Sequence, residues 1–86
     1  MIKINTVEYT PTFIKEFKSI PVKVQKILVE KEKLFRSVPI HPDLNTHRFD
    51  GQLDDIFTFS VTDHYKVAFI IGEINDATFI SLLTTN

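Results

Sequence analysis

The sequence has no cysteine and only two glycines among its 86 residues, and each shortage excludes a class of site. Without cysteine there can be neither disulfide bridges nor thiolate metal ligands, which is consistent with a cytoplasmic protein. Two glycines are too few for a glycine-rich phosphate-binding loop. No apolar run approaches the ~18 residues of a membrane-spanning helix, so we expect no membrane association. The N-terminal residues also lack the basic and then apolar layout of a signal peptide.

Metal ligands are also scarce. His41, His47 and His64 lack the short paired spacings of zinc sites. Asp54 and Asp55 are adjacent carboxylates, but neighbours at the end of a strand face different ways, so we interpret them as turn residues. We therefore expect neither a metal site nor a small-molecule cofactor.

The net charge of −1 conceals an uneven distribution. Residues 1–40 carry eight basic and four acidic side chains, whereas residues 41–86 carry two basic and seven acidic ones. A nucleic-acid surface should be basic, because phosphate neutralisation supplies most of the affinity. By this criterion residues 1–40 are the better candidate for contact with nucleic acid, and residues 41–86 are a poor one.

The length and the 43% hydrophobic content predict a single folded domain over residues 1–86. A short first strand is predicted around Ile2, Ile4 and Val7. Thr10-Pro11 predicts the start of a helix, because a hydroxyl suits the N-cap and proline suits the first helical position. One face of this helix carries apolar side chains at helical spacing, namely Phe13, Phe17 and Ile20.

The first helix is predicted to end at Ser19-Ile20-Pro21, because the residue before a proline is pushed out of the helical region. A second helix is predicted from Pro21 to about Ser37. Its apolar stripe consists of Val24, Ile27, Leu28, Leu34 and Phe35. Glu32 and Arg36 form a favourable pair at i, i+4. Residues 38–45 contain two prolines, Asp and Asn, and predict a loop.

Four strands are predicted in the remainder of the chain. His47 to Leu53 is the first, the segment from Ile56 to Ile71 forms a hairpin of two, and Ala77 to Leu83 is the last, after a turn over residues 72–76. The order β-α-α-β-β-β-β predicts an α+β domain in which two N-terminal helices pack on one face of a twisted antiparallel sheet.

In the central hairpin, large apolar residues occupy every second position on both sides of Thr62-Asp63-His64, separated by Thr58 and Ser60 before it and by Lys66, Ala68 and Ile70 after it. A three-residue connection sets Val61 opposite Tyr65, Phe59 opposite Val67 and Phe57 opposite Phe69. One face is therefore aromatic and aliphatic. The opposite face, which we expect to be open, carries Thr58, Ser60, Lys66 and Ala68, with Ser60 directly across from Lys66.

Lys66 allows two interpretations. It is either an ordinary solvated lysine or a cation held rigidly on the sheet, where it could bind phosphate or handle a proton. His47 and Arg48 open the preceding strand, and alternation brings at most one of them to the face of Lys66. His64 lies in the hairpin turn, where histidine is usually a tolerated polar residue.

A series of residues in the second half follows a familiar order: Leu44, His47, Arg48, Phe49, Gly51 and Leu53, then Phe59-Ser60-Val61, then Tyr65-Lys66-Val67-Ala68-Phe69. Together with the preceding helix pair, this order resembles the RelE/ParE superfamily of bacterial type II toxins, and most closely its RelE-like mRNA interferase branch. The resemblance covers essentially the whole chain.

The resemblance implies a toxin that is silenced by a cognate antitoxin and that cuts mRNA on the ribosome without a metal. Basic residues in such enzymes orient the 2′-hydroxyl, stabilise the phosphorane-like transition state and protonate the leaving oxygen. The candidate positions that match the family pattern are Lys66, Arg48 and His47, with Asn86 where the C-terminal histidine is usual. His64 is the other nearby group that could donate a proton or charge.

The sequence departs from the family pattern in two places. Lys66 stands where arginine is usual, and Thr84-Thr85-Asn86 stands where Gly-Thr-His is usual, without the terminal tyrosine expected a few residues further on. Lysine lacks the bidentate fork that suits phosphate, and asparagine cannot donate a proton as histidine can. Three hypotheses stay open: a RelE-type mRNA interferase, a ParE-like toxin that binds gyrase and cuts nothing, and a catalytically degenerate relative that keeps only antitoxin binding.

Overall fold

The computed structural model describes residues 3–49 and 55–85, in which two helices pack on one face of a five-stranded sheet. The helices are α1 (Pro11–Ser19) and α2 (Val22–Ser37), followed by a short 3-10 helix (Pro42–Leu44). The strands are β1 (Thr6–Tyr9), β2 (His47–Arg48), β3 (Phe57–Ser60), β4 (Tyr65–Ile71) and β5 (Asp76–Thr84). The predicted α+β class and the order of elements are confirmed. None of the helices in this part of the chain is long and apolar enough to cross a membrane.

The sheet has the strand order β1-β5-β4-β3-β2. Strands β2 to β5 are antiparallel to their neighbours, as predicted, but β1 runs parallel to β5, with Thr6 beside Asp76 and Tyr9 beside Phe79. The sheet is therefore mixed. Ile4 precedes β1 and is buried, with its N–H donating to the carbonyl of Arg36 at 3.1 Å. Ile2, also predicted in this strand, lies outside the described residues.

Helix α1 begins where Thr10-Pro11 predicts. The Thr10 hydroxyl accepts a hydrogen bond from the N–H of Phe13 at 3.1 Å and donates one to the carbonyl of Ile80 at 2.8 Å, so one side chain caps the helix and ties it to β5. Ile20 is extended because Pro21 follows it. The side-chain amide of Gln25 donates to the carbonyl of Phe17 at 2.8 Å, which links the start of α2 to the end of α1.

The core is aromatic and centres on Phe35 of α2. Its ring lies 5.0 Å from that of Phe59, 4.8 Å from that of Phe69 and 5.6 Å from that of Phe79. Phe13 and Leu28 are also buried in this cluster, with Phe17, Ile27 and Phe57 half-buried against it. The predicted contact between the hairpin and the two helices is confirmed.

Strand β5 carries a β-bulge at Ile80. Ala68 pairs with Ser81 while the next residue, Phe69, pairs with Phe79, so Ile80 has no partner on β4. The extra residue resets the alternation. Because of it, Phe79 and Leu82 are both buried on the core side although they are three positions apart.

Strand β2 is shorter than the predicted span from His47 to Leu53. Its ladder continues for one residue beyond Arg48, where the N–H of Phe49 donates to the carbonyl of Ile56 at 2.7 Å. Residues 50–54, including Leu53 and Asp54, lie outside the part of the chain that the structure describes.

The predicted turn between β4 and β5 is confirmed. Asn75 has a φ of 60°, in the left-handed region that asparagine tolerates well. A Cβ atom on Gly72 would lie 2.9 Å from Cγ of Asp76, so any other residue here would require the Asp76 side chain to move.

Candidate functional site

Lys66 has the neighbours that the hairpin pattern predicts. Phe57 pairs with Phe69, Phe59 with Val67 and Ser60 with Lys66. Strand β5 adds Leu83 on the other side of Lys66. Directly opposed residues share one face of an antiparallel sheet, so the half-buried Lys66 lies between Ser60 and Leu83 on the face away from the helices.

The centre of this face is not open. Thr58 and Ala68 were expected to be exposed there, but they are only 2% and 4% accessible. The accessible part of the face is its margin, where Ser60 and Lys66 stay half-buried. Lys66 lies at this margin, close to the β3–β4 turn, and is therefore less covered than Thr58 and Ala68 in the centre of the face.

His47 lies on the face of Lys66, but at a distance from it. It pairs with Thr58, two strands away from Lys66 and two residues further along the sheet. Strand spacing and rise place the two Cα atoms about 12 Å apart. The Nδ1 atom of His47 lies 2.8 Å from the carbonyl oxygen of Asn45. His47 and Lys66 are therefore not direct neighbours on this face.

Arg48 points away from Lys66. It pairs with Phe57, whose partner Phe69 is in the core, so Arg48 belongs to the helix side of the sheet. Its guanidinium forms an exposed ion pair with Asp55. The expectation that at most one of His47 and Arg48 shares the face of Lys66 is confirmed, and that residue is His47.

The β3–β4 turn gathers several polar groups close to Lys66. The hydroxyl of Thr62 accepts from the N–H of His64 at 3.1 Å. The carbonyl of His64 accepts from the N–H of Thr85 at 2.7 Å, and the hydroxyl of Thr85 donates to the carbonyl of Asp63 at 3.0 Å. The end of β5 is therefore fixed beside the exposed His64. Asn86 lies outside the described residues, so its predicted role stays a prediction.

One residue of this arrangement was not identified from the sequence. The carboxylate of Glu16 on α1 accepts from the N–H of Leu82 at 2.9 Å and from the hydroxyl of Ser81 at 3.1 Å. Glu16 therefore bonds to the edge of β5 beyond Phe79, where the pairing with β1 ends. A lone glutamate on a helix gives no signal of such a contact in the sequence.

Two apolar grooves are also present. The sheet-end groove, of about 520 Å³, is lined by Ile4, Pro39, Ile40, Thr46, Phe57, Phe69, Ile71 and Asn75. The helical groove, of about 300 Å³, lies between α1 and α2 and is lined by Tyr9, Phe13, Ile14, Phe17, Lys18, Leu28, Val29 and Glu32.

Glu32 in the helical groove accepts hydrogen bonds from two side chains, one of them charged. The Tyr9 hydroxyl donates to its carboxylate at 2.7 Å, and Arg36 donates to the same oxygen at 3.0 Å. Burial raises the pKa of the Tyr9 hydroxyl, and the neighbouring carboxylate raises it further. The hydrogen bond to Glu32 raises the pKa of the Arg36 guanidinium. The predicted pair of Glu32 and Arg36 is confirmed, with Tyr9 as an unpredicted third member.

Comparison by sequence finds no matching family model and no matching curated protein. Comparison by structure finds close matches. A chain of the archaeal RelE–RelB complex from Pyrococcus horikoshii OT3 aligns with a TM-score of 0.78 and 15% identity, over 96% of each chain. A chain of the E. coli DinJ–YafQ toxin–antitoxin complex aligns with a TM-score of 0.76 and 15% identity, over 96% of this chain and 93% of that one. The YoeB dimer from Staphylococcus aureus gives 0.76 at 11% identity, over 99% and 100%.

The chain therefore has the fold of the RelE/ParE superfamily of toxins, as the sequence resemblance predicts. At these identities the likeness is one of fold. The chemistry has to be argued from the residues of this chain.

Proposed function

We propose that this protein is the toxin of a type II toxin–antitoxin system, that it acts in the cytoplasm by cutting ribosome-bound mRNA, and that a cognate antitoxin silences it. The observation that carries the proposal is Lys66, a half-buried cation beside Ser60 on the face of the sheet away from the helices, in a fold similar to that of RelE. A cation in this position can meet the charge that develops on a phosphate.

In the proposed reaction the 2′-oxygen of a ribose attacks the adjacent phosphorus and the bond from phosphorus to the 5′-oxygen breaks. The products carry a 2′,3′-cyclic phosphate and a 5′-hydroxyl, so the proton released by the 2′-hydroxyl is balanced by the proton gained at the 5′-oxygen. We assign charge stabilisation to Lys66. We assign proton exchange to His64, in the exposed turn two residues earlier, because an imidazole ring can both donate and accept a proton.

A second function is favoured by one observation. Lys66 is the only basic side chain of β3, β4 and β5, and Arg48 lies on the other face of the sheet. A surface with so few cations suits a ParE-like toxin that binds gyrase and cuts no RNA. The third alternative is a relative that has lost catalysis and keeps only antitoxin binding. It rests on the same small number of basic side chains on this surface.

Expression of Lys66→Ala in growing cells, with purified ribosomes and mRNA in parallel, tests these functions. Removal of a charge-stabilising group commonly costs ~10²–10³ in rate, so we expect growth arrest and ribosome-dependent cleavage to be lost. Lys33→Ala, an exposed lysine on α2, is the matched control and should keep both. Growth arrest that survives Lys66→Ala, with inhibited gyrase supercoiling, would support the ParE-like function. An unmutated protein that causes neither arrest nor cleavage would support the degenerate one.

A further inference from the structure

The turn between β3 and β4 is exposed at Asp63 and His64, yet the backbone of His64 is bonded on both sides. Its N–H donates to the hydroxyl of Thr62 at 3.1 Å, and its carbonyl oxygen accepts from the N–H of Thr85 at 2.7 Å. A hairpin turn closes through bonds between its own two strands. The contact with Thr85, which follows β5, is therefore an additional constraint on this turn.

Thr85 holds two consecutive carbonyl groups of the turn. Besides the bond to His64, its hydroxyl donates to the carbonyl of Asp63 at 3.0 Å. The peptide group before the Cα of His64 is thus held at its oxygen by Thr85 and at its N–H by Thr62, and the next peptide group is held at its oxygen by Thr85. Because each residue has only two soft backbone dihedral angles, these bonds fix the direction in which the His64 side chain leaves the chain.

That direction brings His64 to the side of Lys66. Tyr65 pairs with Thr84, and the bond from the N–H of Thr85 to the carbonyl of His64 continues the pairing by one more residue. In a paired strand, residues two positions apart lie on the same face, and their Cα atoms are about 7 Å apart. At this spacing an imidazole and an ammonium group can approach one phosphate group from the same face.

The Thr85 hydroxyl acts on this arrangement through His64. A threonine hydroxyl has one proton to donate, and in this structure that proton goes to the carbonyl of Asp63. It is therefore not available to a phosphate oxygen. The role that the geometry leaves to Thr85 is to orient another group.

We propose that Thr85 is a positioning residue for RNA cleavage, which holds the backbone of His64 so that its imidazole stands beside the ammonium group of Lys66. The assignment rests on the proposed function for the reaction that His64 and Lys66 perform. The fixing of the turn by Thr85 can be measured without that reaction.

Isosteric variants of Thr85 test the effect on cleavage. Thr85→Val removes the hydroxyl at nearly constant shape, whereas Thr85→Ser keeps it. We expect kcat of ribosome-dependent cleavage to fall about threefold to tenfold in Thr85→Val, the range of one hydrogen bond, with KM unchanged, because orientation affects the chemical step. Thr85→Ser should restore kcat to within about twofold of the parent. Thr84→Val, the same change at the exposed neighbouring residue, is the control and should keep the parental kcat.

A double-mutant cycle shows whether Thr85 acts through His64. Two changes in one functional unit are not additive. In the His64→Ala background we therefore expect Thr85→Val to change kcat less than about twofold. A direct contact of Thr85 with RNA, or a general loosening of the fold, would lower kcat by the same factor in both backgrounds.

Backbone order at His64 gives a readout that needs no activity. Relaxation of ¹⁵N in the full chain should give the His64 N–H an order parameter of about 0.85, the value of a rigid backbone. In Thr85→Val it should fall towards about 0.6, the value of a flexible segment, while Thr85→Ser and Thr84→Val keep the parental value. Circular dichroism verifies that each variant is folded.

Four results would overturn the positioning role: an unchanged kcat in Thr85→Val, an equal loss in both backgrounds, a His64→Ala variant as active as the parent, or an unchanged order parameter of His64 in Thr85→Val. Cleavage that depends on Lys66 but not on Thr85 would reject this role alone. A parent that cuts no RNA, beside a loss of order at His64 in Thr85→Val, would reject the RNase function alone and support Thr85 as the residue that fixes the turn.

Discussion

The carboxylate of Glu16 and the backbone N–H of Leu82 are joined by a 2.9 Å hydrogen bond, which connects α1 to the edge of β5. The same oxygen also accepts from the Ser81 hydroxyl. The pairing of β1 with β5 ends at Phe79, so Glu16 provides the hydrogen-bond partner for β5 beyond that residue. Leu82 is in the core and Ser81 is on the opposite face. The contact therefore fixes the part of β5 that lies beside Lys66.

Replacing Glu16 by alanine should destabilise the protein. The change leaves the Leu82 N–H without its acceptor, and a hydrogen bond to a charged group is worth about 1.5–3 kcal/mol. Urea unfolding measures the change. Glu16→Gln keeps a carbonyl acceptor and should lose less, and Lys15→Ala, its exposed neighbour, should lose very little. Equal stability of Glu16→Ala and Lys15→Ala would show that the contact contributes nothing.

Replacing Phe59 by alanine should be far more costly. Phe59 is completely buried and its ring contacts those of Phe35, Phe69 and Phe79. Truncation of a buried phenylalanine costs about 3–5 kcal/mol, a large fraction of the stability of a small domain. Thermal unfolding should show a much lower midpoint, while Ile74→Ala, at a position 71% exposed, should keep that of the parent. An unchanged midpoint for Phe59→Ala would contradict the hairpin register.

Replacing Lys66 by arginine should preserve or raise ribosome-dependent cleavage. Arginine keeps the positive charge and adds a planar fork that can donate two hydrogen bonds to one phosphate. Cleavage rates at saturating ribosome concentration measure the effect, with Lys66→Gln as the uncharged control of similar length. If Lys66→Gln cleaves as fast as the parent, charge at this position has no role in the reaction.

Replacing Tyr9 by phenylalanine should make the stability of the protein fall less steeply as the pH rises. The raised pKa of Tyr9 in the folded protein means that the unfolded chain releases this proton first as pH increases. The contribution is complete below the ordinary tyrosine pKa of about 10 and disappears as pH rises through the folded value. Urea midpoints between about pH 9 and pH 11 should fall more steeply for the parent than for Tyr9→Phe. Parallel slopes would argue against the contact between Tyr9 and Glu32.

The sequence predicts those features of this fold that have a local cause. The alternation between Phe57 and Ile71 is sufficient for the hairpin register, and Thr10-Pro11 is sufficient for the start of α1. The parallel pairing of β1 with β5 joins residues about 70 positions apart, such as Thr6 and Asp76. No short-range pattern encodes such a pairing, so the sheet was predicted to be wholly antiparallel.

The candidate site was predictable to a similar extent. The register gave Lys66 its neighbour Ser60 and limited His47 and Arg48 to opposite faces. The burial of Thr58 and Ala68, the bulge at Ile80 and the contact of Glu16 arise from packing between distant elements. A sequence pattern with a period of two cannot contain this information.

The position of β5 between β1 and β4 also constrains how the molecule is made. Phe79 on β5 contacts Tyr9, Phe13, Phe35 and Phe59, which are all synthesised earlier, so the core is incomplete until this strand leaves the ribosome. Contacts that join distant parts of a chain form late, because the entropy of closing a long loop has to be overcome first. A nascent chain that ends before residue 76 lacks the strand that joins β1 to the hairpin. Because Leu83 of β5 pairs with Lys66, the surroundings of the candidate site are also completed only when β5 has been synthesised.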